Sequence, residues 1–143
     1  MNRVDFYVLA IAGADARDRF ACHLAEKAYT AGHRAFILTG DETQAERLDT
    51  LLWTFRQGSF VPHAPAVARD GEPVAVGAAP PDPDDDVLIN LSDRLPEGWR
   101  QWPRLAEVVD QREDVLQASR RRFRDYRDAG VSPHTHRIEA RSR

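Results

Sequence analysis

The sequence predicts an α/β fold: a single three-layer α/β/α domain on a mainly parallel sheet, Rossmann-like but without a nucleotide-binding loop. Three observations carry this. Compact apolar runs at residues 4–9, 34–39, 87–91 and 105–109 have strand length and the nearly continuous hydrophobicity of strands covered on both faces. Between them lie segments whose apolar residues recur at helical spacing. The 143 residues suit one domain with a proper core, and no internal repeat is visible. Strands and helices alternating in this order imply crossover connections, hence parallel strands with helices on both sides.

Each element has a local reason. After the first strand, Asp15 is expected to cap a helix that runs to about residue 31, with Phe20, Leu24 and Ala28 on one face and Gly32 as its stop. Ala35, Phe36, Ile37 and Leu38 make the second strand. Asp41 or its neighbour Gly40 then opens a helix in which Ala45, Leu48 and Leu52 repeat at helical spacing. Gly58 and Pro62 break regular structure, which puts Phe60 on a connection. A weak strand is expected at residues 73–76. The run Pro80, Pro81, Asp82, Pro83, Asp84, Asp85, Asp86 reads as a solvated surface loop. Residues 87–91 are the clearest buried strand, followed by another at 105–109. Asp110 or a neighbour leads into a final helix to about residue 128, ended by Gly130. The domain is expected to span residues 1–130, with a polar tail at 131–143.

Composition excludes several classes of function. No apolar run approaches the length of a membrane span, and the opening residues lack a signal-peptide pattern, so a cytoplasmic location is expected. Cys22 is the one cysteine, which excludes an internal disulfide and a multi-cysteine zinc site. A net charge of −3 argues against a general duplex-DNA binder, whose affinity comes from neutralising phosphates.

The fold class invites a nucleotide-dependent enzyme, and the residues do not support one. The connection after the first strand, Ala10 to Ala14, has the single glycine Gly13 and no Lys-Ser or Lys-Thr pair to cradle phosphate. Thr39, Gly40 and Asp41 form an ordinary strand-to-helix turn. Cys22 and His23 are adjacent on a helix, so their side chains diverge by about 100° and cannot act as a nucleophile–base pair. Cys22 reads as a small buried filler. His63 braces a loop, and His134 and His136 lie in the expected tail without further donors for a metal. The aspartates at 82–86 lack the later bidentate glutamate of a calcium loop. No catalytic residue, metal or cofactor is therefore expected.

Two segments stand out as binding surfaces. In the first, Trp53, Phe55 and Phe60 run from a helix end into a turn; a large aromatic on a connection either folds back onto the core or anchors a partner. In the second, Arg120, Arg121, Arg122, Arg124 and Arg127 crowd a helix with Phe123 and Tyr126, in an otherwise acidic chain. Arg120, Arg124 and Arg127 share a helix face, with Phe123 beside them and Tyr126 turned inward. Guanidinium groups next to an aromatic suit a ligand with a carboxylate and an apolar ring, or a single nucleic-acid strand.

Leu48, Asp49, Leu52 and Trp53, followed by Ser59, Phe60, Val61, Pro62 and His63, resemble the chi subunit family of the bacterial DNA polymerase III holoenzyme. The opening Val4, Asp5, Phe6, Tyr7, Val8, Leu9, the strand Val87, Leu88, Ile89, Asn90, Leu91, and the segment from Arg120 to Gly130 follow the same family in the same order. The resemblance implies a non-catalytic adaptor in DNA replication, with an α/β sandwich that binds no nucleotide. It implies a psi subunit, the link to the clamp loader, contacting Trp53 and Phe60. It implies the acidic C-terminal tail of single-stranded DNA-binding protein, ending in Phe and a free carboxylate, contacting Arg120, Phe123 and Arg124. One basic position of the family's tail site, a turn earlier, is Leu116 here. DNA would be met mainly through partners, by a monomer or a heterodimer with psi. Two alternatives stand beside this reading: a small α/β enzyme or nucleotide-binding protein with an unrecognised site, and a direct single-strand binder using the arginine helix.

Overall fold

The computed structural model describes residues 2–79 and 84–139. Seven strands form one sheet in which every pairing is parallel. They are β1 (Arg3–Leu9), β2 (Ala35–Leu38), β3 (His63–Pro65), β4 (Val74–Gly77), β5 (Val87–Asn90), β6 (Arg104–Val109) and β7 (His134–Ile138). Their order across the sheet is β3-β4-β2-β5-β6-β1-β7. Three helices complete the layers: α1 (Ala14–Thr30), α2 (Glu42–Thr54) and α3 (Glu113–Asp128). The expected three-layer α/β architecture is the one observed.

Alternation along the strands divides the interior into two cores. Ile37, Ile89 and Val108 face one side, where Ala21, Cys22 and Ala25 of α1 and Leu48 and Leu52 of α2 cover them. Phe36, Leu88 and Leu105 face the other side, with Phe6, Trp99, Trp102 and Tyr126 of α3. Side chains at successive strand positions point to opposite faces, so a parallel strand between two helical layers must be apolar at nearly every position. That is why β2 reads Ala-Phe-Ile-Leu, all four buried.

Of the three α-helices, only α2 carries a side-chain N-cap. The Asp41 carboxylate accepts from the Gln44 backbone N–H at 2.8 Å, while the Gln44 side chain accepts from the Gly40 N–H at 2.9 Å, a reciprocal cap. At α3 the expected Asp110 lies two residues before the N-cap position, Arg112, and accepts from its backbone N–H at 2.8 Å. α1 differs from expectation. Its N-cap is Gly13, at φ 147°, with no side-chain cap, and Asp15 sits inside the first turn, where its charge favours the helix dipole and pairs with Arg19 at 2.9 Å.

Three further expectations are corrected. The polar tail from residue 131 contains β7, which pairs with β1 from Asp5↔His134 to Leu9↔Ile138, so the domain extends past residue 130. An edge strand needs one covered face only: His136 and Ile138 turn inward, while Thr135 and Arg137 face water. His136 stacks on Tyr7 at 4.8 Å and reaches the Asp5 carboxylate at 2.7 Å. Second, the three-residue β3 at the opposite edge was not expected, being too short and proline-containing to leave a pattern. Third, the solvated acidic loop is partly a buried clamp. Asp85 is buried and binds Arg69 at 2.7 Å and Arg34 at 3.1 Å. Positions 80–83 of that loop lie outside the described residues.

Candidate functional site

Trp53 lies in the last turn of α2 and Phe60 sits six residues beyond the helix, on the loop entering β3. They are 54% and 63% exposed, although each carries enough apolar surface to favour burial. Their ring centroids lie 6.0 Å apart, so they form one patch. Phe55, between them in sequence, packs into the core instead.

The patch rests on built supports. The loop after α2 is tied to α1, where Glu26 accepts from Arg56 at 2.6 Å and also from the Ser59 hydroxyl. The Arg56 hydrogen bond holds the Glu26 carboxyl below the usual carboxylate range. Beneath Trp53, at 4.5 Å, lies the His63 ring, which is buried with Nδ1 2.7 Å from the Val61 carbonyl and Nε2 2.9 Å from that of Asp49. His63 therefore braces the loop, as expected. The sequence does not signal the ties of Arg56 and Ser59 to Glu26, because contacts spanning about thirty residues leave no local pattern.

The arginine helix divides by face. Arg120, Arg121, Arg124 and Arg127 are exposed. Phe123 is half-buried against Phe6, 5.2 Å between centroids, and Leu116 packs against the same core. The Phe123 ring beside Arg120 and Arg124 is therefore only partly open to a ligand. Arg122 departs from the cluster and is buried. Its Nε donates to Glu107 at 3.0 Å, and Glu107, with no exposed surface, also accepts from the Tyr126 hydroxyl at 2.8 Å and the Asn90 amide at 3.0 Å. Burial and the Glu107 charge push the Tyr126 hydroxyl pKa up. This network joins α3 to β5 and β6 and serves structure. Cys22 is likewise buried, and burial raises its thiol to about 12, which makes it an inert filler.

An α/β sandwich with one exposed aromatic patch and one exposed basic helix face describes an accessory, partner-binding protein. The comparisons with known proteins agree. Residues 1–134 match the family described as "DNA polymerase III chi subunit, HolC". The chain is 41% identical over 139 residues to the DNA polymerase III subunit chi of Pseudomonas aeruginosa, covering 96% of this chain and 98% of that relative. It is 30% identical over 143 residues to the Escherichia coli protein of the same name, covering 94% and 97%, and 23% identical over 137 residues to that of Haemophilus influenzae, covering 93% and 95%. The chain belongs to the DNA polymerase III chi subunit family. It is thus a DNA replication protein and an accessory rather than a catalytic polymerase subunit.

Proposed function

We propose that this chain is a cytoplasmic adaptor linking the clamp loader to the C-terminal tail of single-stranded DNA-binding protein. A psi-like subunit docks on Trp53 and Phe60, and the tail docks along Arg120, Phe123 and Arg124. The observation carrying the reading is the Trp53–Phe60 pair: two large aromatics more than half exposed, side by side, one at the end of α2 and the other on the following loop, which is pinned to α1. Rigid exposed aromatics contribute disproportionately at interface centres, because little entropy is lost when they are covered. The tail site has support of the same kind, with two exposed guanidinium groups flanking a partly open ring. Forked donors suit a terminal carboxylate.

Calorimetry with the psi-like subunit tests the central claim. Phe60→Ala should weaken the complex by about 2 kcal/mol or more while leaving the melting temperature of the free chain nearly unchanged. Parent-like affinity in both Phe60→Ala and Trp53→Ala would remove this patch from the interface. Direct single-strand binding is separated by titrating oligonucleotide with and without the binding protein: the adaptor engages DNA strongly only when that protein is present.

A further inference from the structure

A crevice of about 380 Å³ opens at the carboxyl ends of the strands, bordered by the starts of α1, α2 and α3 and by the turn after β5. α1 and α2 cover one face of the sheet and α3 the other, so the crevice lies where the connections diverge, the usual ligand position in open α/β sheets. Arg17, Arg47, Arg112 and Arg122 line it, two of them buried.

Their partners do not exhaust them. Arg47 pairs with Asp18, Arg112 with Asp110 and Arg122 with Glu107. Among the described residues Arg17 has no carboxylate partner; its Nε donates to the Val108 carbonyl at 2.7 Å. Asp41, Asp93 and Asp114 also line the crevice, so the case for an anion rests on unmet guanidinium donors and not on an excess of positive charge. The Arg122 side chain is 3% exposed, and its Nη1 and Nη2 have no hydrogen-bond partner. Burying a charged fork without partners is costly, and an anion between the guanidinium groups relieves both the unmet donors and the repulsion. Burial, and then the nearby Arg122 charge, lower the Arg17 pKa, as expected for two cations crowded at one site.

We infer that this crevice binds a small, hydroxyl-bearing phosphate monoester through Arg17, Arg112 and Arg122. These side chains approach from α1, the β6–α3 connection and α3, a spread that suits the tetrahedral oxygens of phosphate better than a planar carboxylate. The carboxylates of Asp93 and Asp114 at the mouth oppose an extended polyanion and can accept hydrogen bonds from ligand hydroxyls. Recognition by side chains also explains how a phosphate could be held without a glycine-rich loop. The volume lies at the lower end of small-molecule sites, roughly 300–1,000 Å³. The site is separate from both docking patches and does not depend on the adaptor reading.

Thermal melting of the full chain at matched ionic strength tests it, with inorganic phosphate, ribose 5-phosphate and adenosine monophosphate as probes against chloride. A monoester at tenfold over its Kd should raise the melting temperature by roughly 3–6 °C. Arg122→Gln could fail to fold, because it strips Glu107 of its partner, so Arg17→Gln and Arg112→Gln are the deciding variants. Each should lose most of the shift, while Arg121→Gln, outside the crevice, keeps it. A larger shift with the nucleotide than with the sugar phosphate would identify a nucleotide as the natural source. Equal shifts with inorganic phosphate would overturn the monoester assignment, since the ligand's hydroxyls would then contribute nothing. No shift beyond chloride, or shifts undiminished in both Arg17→Gln and Arg112→Gln, would overturn the proposal.

Discussion

Glu107 is a carboxylate with no exposed surface, tolerated because Arg122, Tyr126 and Asn90 all donate to it. Removing one neutral donor should be mild and removing the charge severe. Tyr126→Phe is expected to cost about 1–2 kcal/mol in denaturant unfolding, the loss of one charge-assisted hydrogen bond. Glu107→Ala should cost about 3–5 kcal/mol, since it leaves Arg122 buried without its counter-ion. Near-equal midpoints for the two variants would contradict this account. Glu26 is a positioning residue of a different kind. Glu26→Ala releases Arg56 and Ser59 and should weaken binding of the psi-like subunit by about 1 kcal/mol, with Phe60 itself untouched. On the basic face, Arg124→Glu should reduce affinity for an acidic peptide ending in Phe more than Arg124→Ala does, because it adds repulsion to the lost contact. Calorimetry with the free-acid and amidated peptides reads this directly; unchanged affinity for both the amide and Arg124→Glu would leave the face as solvated surface.

At the scale of elements, β7 seals one side of β1. Truncation before residue 133 would expose a strand edge and release Asp5 from His136, so the shortened chain should melt earlier and associate at lower concentration. Light scattering alongside melting checks both effects. The same strand shows what sequence patterns carry. β1, β2, β5 and β6 are legible because a strand covered on both faces must be apolar at nearly every position. β7 has just one lined face and donates polar residues to it, so its pattern resembles a tail. β3 is too short to have a pattern at all. Gly58 and Pro62 put Phe60 on a connection but leave open whether it folds back onto the core, and nothing local signals the burial of Arg122 within an arginine run. Its partner Glu107 lies 15 residues away, in the middle of what reads as an apolar strand.

For the molecule as a whole, acid is the condition to which the fold is most exposed. Burial alone would raise the pKa of Asp5 and of Asp110, but Arg3 and His136 on the first and Arg112 on the second outweigh it and hold both below the ordinary aspartate range. A depressed folded-state pKa contributes stability that is fully present above the unfolded value, about 3.9, and is lost as pH falls through the folded value. Stability should therefore stay level in this respect near neutrality and decline below about pH 4; a melting temperature unchanged down to pH 3 would exclude these pairs as contributors. The chain carries a net charge of −3, yet the outer face of α3 is basic, so peptide affinity there should fall as salt rises. The two proposed docking patches lie on opposite sides of one continuous sheet: Trp53 on α2, the exposed arginines on α3. On the proposed reading, the sheet between them would let two ligands be held together without competing for space. Its thickness fixes their separation, so capture of one tethers the other at a raised effective concentration, and avidity at the replication fork would come from geometry rather than from any coupling through the protein.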